Sequence, residues 1–424
     1  MSLLSNEPIK ILTVVGARPN FMKVAPIIRA VREHNKGGEP QIEHLLVHTG
    51  QHYDEAMSDR FFADLGLPKP DVHLGVGSGS HTVQTAEVMK KFEDVLLREK
   101  PAVVIVVGDV NSTVACALVT AKVTYDASGA RALIAHVESG LRSFDRAMPE
   151  EINRIVTDHL SDLLFVTEES GLQNLRTEGI SSQKIHFVGN TMIDSLLAFK
   201  ENAEASTVLD DLGLRAQSET SGGSRSIRRY ALLTLHRPSN VDNPEGFLNI
   251  LGGLEELAKD CPIIFPVHPR TRKRIREFGL QIDTGTTTFT IGLAAPGPSD
   301  GRTGIVLTEP LGYLDFLCLM KHAAIVVTDS GGIQEETTCL GVSCVTVRAN
   351  TERPVTVENG TNIVAGTGKD GIREAIRQQL KRKAGDERPK YWDGHAAVRI
   401  IEVLVQAKQA GKPSRTPVVP QPYA

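Results

Sequence analysis

The chain has 424 residues, 41% hydrophobic and 23% charged, with a formal net charge of −4. That length exceeds one ordinary core and predicts two or three domains, while the acidic balance leaves no basic footprint for nucleic acid. No apolar run approaches the roughly 20 residues that span a bilayer, the N-terminus lacks a signal-peptide pattern, and five cysteines without CxxC spacing read as buried thiols of a cytoplasmic protein.

Short β-branched apolar runs follow in series along the chain. The first half carries them at 9–15, 42–48, 102–107, 131–137, 162–167 and 184–188. The second half carries them at 230–235, 262–267, 304–308, 323–328, 342–347 and 362–365. Continuous apolar runs without alternation suit parallel strands buried on both faces. The intervals hold helical patterns, among them 23–34, 82–99 and 332–340. βαβ repeated twice over predicts an α/β protein of two doubly wound, Rossmann-like domains with a cleft between them. The domain joint is expected near 190, giving 1–190 and 191–394. The polar stretches 215–229 and 283–303 read as surface loops, and the proline-rich 411–424 as a disordered tail.

Open parallel sheets bind ligands outside the carboxyl ends of their strands, so those loops hold the candidate site. In the first half they are Gly16 to Asn20, Thr49 to His52, Gly108-Asp109 and Glu138 to Gly140. In the second they are His236 to Pro238, His268 to Arg270, Glu309-Pro310, Asp329 to Gly332 and Arg348 to Pro354. Asp329-Ser330-Gly331-Gly332 precedes a helix, where glycines let backbone amides approach a phosphate and the helix N-terminus favours its charge. Glu336 lies about one turn in, placed to accept hydrogen bonds from ribose hydroxyls. Arg18, Lys23 and Arg353 are the candidate cations for a diphosphate. Asp109, Glu138, Glu150 and His236 form the acid–base set. Glu150 also suits a helix's first turn for the dipole alone, and His268 fits a phosphate or a uracil equally. No HExxH or other metal-ligand spacing occurs, so neither metal nor cofactor is expected. Gly75-Val76-Gly77-Ser78-Gly79 follows no convincing strand and is set aside as a dinucleotide loop.

The combination of GARPNFMKVAP at 16–26, GD at 108–109, HVESGLRS at 136–143, PEEINR at 149–154, LHRPSN at 235–240, PVHPR at 266–270, TDSGGIQEE at 328–336 and TERP at 351–354 resembles the non-hydrolysing UDP-N-acetylglucosamine 2-epimerases. The resemblance spans roughly 9–405, with collinear motifs in both halves. It implies the two-domain GT-B fold, with a final helix near 395–408 crossing back onto the first domain, and commonly a homodimer. It implies elimination of UDP across C1–C2 to a 2-acetamidoglucal, then re-addition with a proton on the other face of C2. Asp109, Glu138, Glu150 and His236 match the family's catalytic positions, and Phe316 a position beside the uridine. Which residue takes the C2 proton stays open.

Three features depart from many bacterial members. The segment Gln51 to Met57 lacks the arginine of the activator site for a second UDP-sugar. The loop from Glu138 to Glu150 is shorter, as in relatives acting on UDP-diacetamido-uronic acid or deoxy-sugar derivatives. Leu311 stands where those enzymes carry glutamine. A GT-B glycosyltransferase would need an acceptor groove but not this acid–base set, and a non-catalytic nucleotide-sugar sensor would not need every catalytic position.

Overall fold

The structure is a computed structural model describing residues 8–51, 64–215, 226–267, 269–278, 282–283, 289–291, 304–382 and 388–409. The first sheet holds β1 (Ile9–Val15), β2 (Ile42–His48), β3 (Val72–His73), β4 (Val103–Val107), β5 (Leu133–Ser139), β6 (Leu163–Val166) and β7 (Ile185–Phe187). The second holds β8 (Ala231–Thr234), β9 (Ile263–Pro266), β10 (Ile282–Asp283), β11 (Phe289–Ile291), β12 (Ile305–Thr308), β13 (Ile325–Thr328), β14 (Cys344–Thr346) and β15 (Asn362–Val364). Every run expected as a strand is one. All five residues of β4, VVIVV, are buried, and each such Val or Ile contributes about 1.5–3 kcal/mol relative to exposure.

Strand order in the first sheet is β3-β2-β1-β4-β5-β6-β7. The second runs β10-β11-β12-β9-β8-β13-β14-β15. Apart from β10 and β11 the strands pair in parallel. Both sheets therefore reverse direction of growth once, beside their own first strand: between β1 and β4, and between β8 and β13. These two switch points are where an open α/β sheet leaves a crevice.

Three strands, β3, β10 and β11, fall outside the expected runs. β3 is a two-residue edge strand, too short to leave a pattern, and it does precede the Gly75 to Gly79 loop. Part of 283–303, expected as a loop, forms antiparallel β11 on the edge of β12, with Phe289 opposite Leu307. That threonine-rich segment has no apolar run of its own, so its strand depends on the neighbouring edge. Within 215–229, Arg215 bridges Ile227, and the residues between 215 and 226 lie outside the described set, as does the tail after 409.

One apolar cluster runs continuously through both halves, from Ile11 and Ile105 through Met192, Ile193 and Leu196 to Leu232 and Val326. The Thr191–Ala203 helix carries that connection, packing on the Arg18–His34, Tyr313–His322 and Gly331–Leu340 helices. The Ala396–Gln409 helix returns to the Arg18–His34 helix. Its start is capped by the Thr191–Ala203 helix, whose Asp194 accepts from the Ala396 and Ala397 amides at 3.2 and 2.8 Å. All five cysteines are buried free thiols. Among the described residues no helix is long and apolar enough to cross a membrane.

Candidate functional site

The loops leaving the two switch points carry the charged residues, and neighbouring loops converge because their strands pair. After β1, Asn20 accepts from the Gly16 and Ala17 amides at 3.1 and 3.0 Å and donates to the Val107 carbonyl at 3.1 Å. That ties the turn after β1 to the end of β4. One helical turn later the buried Lys23 ammonium pairs with Glu138 Oε2.

Glu138 occupies the left-handed backbone region, with φ of 73°, at a register shift between β5 and β6. For a long side chain that conformation costs roughly 1–2 kcal/mol and persists only where its surroundings over-determine it. Here the surroundings are two cations. Besides Lys23, Arg353 from the second half donates through Nη2 to Glu138 Oε1 at 2.7 Å. Arg353 Nε also lies 2.7 Å from Glu335 Oε1, though misaligned for a hydrogen bond. Burial pushes the Glu335 carboxyl up to about 7, against the pull of Arg353. Glu168, also buried, is pushed up to about 7 for the same reason.

Asp109 follows β4 and receives Arg154 Nη2 at 2.5 Å. Burial pushes its carboxyl up, but the charges of Arg154, Lys23 and Arg353 outweigh burial and hold it below the ordinary range. Arg154 also donates to Glu151 at 2.8 Å. Glu151 in turn accepts from the Ser143 amide at 3.0 Å and the Phe144 amide at 2.9 Å, pinning the loop after Glu138. Behind Asp109, His136 faces an acceptor at each ring nitrogen, Asp158 at 2.7 Å and the Gly108 carbonyl at 2.8 Å.

In the second half, His236 Nδ1 lies 2.8 Å from Asp329 Oδ1; the ring side chain is 60% exposed and the carboxylate fully buried. Glu352 is held well below the usual carboxylate range, since Arg353 and Arg348 outweigh its burial. A Cβ on Gly331 would stand 2.7 Å from Glu352 Oε1, and one on Gly332 would collide with Met192 Cε. Close approach of Glu352, paired with Arg348, therefore favours a glycine at 331 whatever its amide binds, whereas beside Gly332 the flexible end of Met192 can give way. Ser330 begins the Gly331–Leu340 helix without a side-chain cap.

Lys23, Glu138 and Arg353 thus form one buried ionic cluster that spans both halves, and the half-buried Asp109, paired with Arg154, feels the charges of Lys23 and Arg353. His236 belongs to the neighbouring turn, and Arg237 beside it reaches Glu352 at 3.8 Å and Met148 in the first half. Glu150 is half-buried on the first turn of the Pro149–Leu160 helix, where its charge acts on Arg237. Arg353, expected as a cation for the diphosphate, instead meets carboxylates, and its Nη1 has no hydrogen-bond partner among the described residues. Glu336 is buried, accepts from the Tyr313 hydroxyl at 3.3 Å and is pushed by burial up to about 8. Phe316 and Leu311 are half-buried against the shared apolar cluster. His268, the Arg18 side chain and the segment from His52 to Met57 lie outside the described residues.

Sequence reasoning gave no role to Glu151, Arg154, Asp329, Glu335 or Glu352. Each stands inside a quoted motif, so adjacency was the available signal. Among the described residues no group of three His, Cys, Asp or Glu side chains could hold a metal ion.

A family model described as UDP-N-acetylglucosamine 2-epimerase matches residues 35–405. The UDP-N-acetylglucosamine 2-epimerase of Methanocaldococcus jannaschii is 42% identical over 410 residues, covering 94% of this chain and 100% of that one. The UDP-2,3-diacetamido-2,3-dideoxy-D-glucuronate 2-epimerase of Pseudomonas aeruginosa is 37% identical over 400 residues, covering 94% and 99%. The crystal structure of the M. jannaschii enzyme in complex with UDP-GlcNAc and UDP matches with a TM-score of 0.79 at 40% identity, covering 94% and 100%.

Proposed function

The chain belongs to the UDP-N-acetylglucosamine 2-epimerase family, and from that premise we propose that it interconverts UDP-N-acetylglucosamine and UDP-N-acetylmannosamine by eliminating UDP across C1–C2 and adding it back. C2 has no neighbouring carbonyl to acidify its proton, so loss of the diphosphate must accompany proton removal. The reaction then needs an ionised base beside C2, cations around the leaving diphosphate, and a site closed against water while the glycal exists. The observation that carries the reading is the Glu138 clamp. A strained carboxylate sits between a cation of each half, Lys23 and Arg353, with Asp109 kept ionised alongside.

In this reading Asp109, Glu138, Glu150 and His236 handle protons. Arg18, Lys23, Arg353, His268 and the Ser330-Gly331-Gly332 turn bind the nucleotide, with Glu336 at the ribose and Phe316 at the uridine. Lys23 and Arg353 are engaged by Glu138, so a diphosphate would compete with that carboxylate for both cations. Binding would thereby loosen Glu138 as the leaving group becomes compensated.

Incubation with UDP-GlcNAc in deuterated water tests the proposal. Deuterium at C2 and a mixture with UDP-ManNAc are expected; intact, unexchanged substrate would refute it, and free ManNAc plus UDP would indicate a hydrolysing enzyme. The P. aeruginosa relative and the short loop between Glu138 and Glu150 favour a second reading, a diacetamido-uronate as the sugar. A panel of UDP-sugars separates the two by relative kcat/KM.

The division at 190, with the helix near 395–408 returning to the first domain, is part of the same proposal, as is a cytoplasmic homodimer supplying cell-surface polysaccharide precursors. A sedimentation mass equal to the 46.0 kDa monomer would rule out the dimer.

A further inference from the structure

His236 and Asp329 lie far apart in sequence, yet Thr234 and Thr328 are register partners in β8 and β13. Their loops leave the second switch point side by side. Asp329 there accepts every hydrogen bond that the 236–240 turn offers it. The His236 amide reaches its two oxygens at 3.2 and 3.1 Å, the Arg237 amide at 2.9 Å and Asn240 Nδ2 at 3.1 Å. The fully buried carboxylate is therefore immobile, and its Oδ1 also stands 2.8 Å from His236 Nδ1.

At 2.8 Å from an ionised carboxylate a bare ring nitrogen would set lone pair against lone pair, so Nδ1 is the nitrogen that carries the proton, although its N–H is not aligned for a full hydrogen bond. Nε2 is then the end left for chemistry, on a ring 60% exposed, and no hydrogen bond among the described residues reaches it. We propose that Asp329 is a positioning residue of the reaction: it holds His236 in the Nδ1–H form and aims Nε2 out of the protein toward the bound sugar nucleotide. Nε2 then takes one proton, or returns it, while the carboxylate balances the imidazolium charge. The catalytic consequence rests on the epimerase reading; the tautomer does not.

Asp329→Asn isolates the effect. With the carboxamide oxygen in place of Oδ2, the turn keeps its bonds from Arg237 and Asn240. The carboxamide NH2 in place of Oδ1 would donate to the ring and drive its proton to Nε2. In 15N-histidine-labelled enzyme, with His236 assigned against His236→Gln, the signals should change from the Nδ1–H to the Nε2–H pattern. Deuterium exchange at C2 should fall about 100-fold or more, with UDP affinity within a few-fold of the parent.

Asn243→Ala supplies a loosened control, removing the cap of the Pro244–Asp260 helix without touching Asp329; it should keep both tautomer and exchange. The inference is overturned if Asp329→Asn changes neither tautomer nor exchange, or if Asn243→Ala loses exchange equally. If the parent enzyme exchanges no deuterium, the epimerase reading fails. The tautomer pattern then decides whether Asp329 orients His236.

Discussion

Glu138 and His236 end strands of opposite sheets, and the protein holds them by different means. Glu138 is buried, strained, and clamped by one cation from each half. His236 keeps an exposed ring and is held by a single carboxylate of its own half. The charge state around Glu138 therefore depends on how the halves meet, whereas that around His236 is built into one domain. On the proposed reading, in which both groups handle protons, a two-domain enzyme gains from this division, since one would be ready before closure and the other set by it.

The comparison breaks most visibly at turnover. Asp109→Asn and His236→Ala should each lower C2 exchange by roughly 10²–10⁴-fold, the usual worth of a positioned acid or base. UDP affinity by calorimetry should stay within a few-fold. Near-normal turnover in either variant would remove that residue from the reaction.

Arg353→Ala should strike the clamp itself, leaving Glu138 and Glu335 buried with one cation fewer. Breaking a buried pair from one side costs about 3–5 kcal/mol, readable as a lower midpoint in denaturant. His236→Ala should leave that midpoint nearly unchanged. Equal losses of stability would mean that the two regions are not held differently.

The buried carboxylates give a pH test with a definite sign. Glu336 is lifted to about 8 in the folded protein, while the unfolded group titrates near its ordinary value of about 4.3. The folded state thus binds its proton more tightly. The stability this contributes is complete below the unfolded value and is lost as pH rises through about 8. Glu336→Gln, a neutral isostere, should match the parent at pH 5 and exceed it at pH 9, by up to a few kcal/mol in chemical denaturation. A constant difference across that range would contradict the shift.

The smallest expected effects separate the two glycines. At Gly331 a new Cβ meets Glu352, a carboxylate 2.7 Å from Arg348, so Gly331→Ala should cost about 1–3 kcal/mol of stability. At Gly332 it meets the flexible end of Met192, which can turn aside, so the loss in Tm should be smaller. The reverse order would mean that Glu352 is not fixed.

The fold was legible because parallel strands buried on both faces must be apolar throughout, and segments such as AVVIVV at 102–107 announce themselves. β11 was not, because its strand depends on the edge of β12. The candidate site was legible as far as strand ends could reveal it: Asp109 and His236 follow β4 and β8, and Glu138 stands at the end of β5. The partners that set their chemistry were not. Glu150 and Glu151 are neighbours in PEEINR, yet their side chains point about 100° apart on a 3.6-residue helix. Only packing decided that Glu151 turns inward, to Ser143, Phe144 and Arg154.

The sequence by itself therefore determined two doubly wound halves, the loops that line their switch points, and the residue types available there. Apolar periodicity and turn chemistry are local, and local patterns can be read along a chain. The tertiary structure alone decided that Arg353 grips Glu138 across the halves and that Asp329 holds His236. Ion pairing and tautomer depend on distances of about 3 Å between groups that strand order, not sequence proximity, brings together.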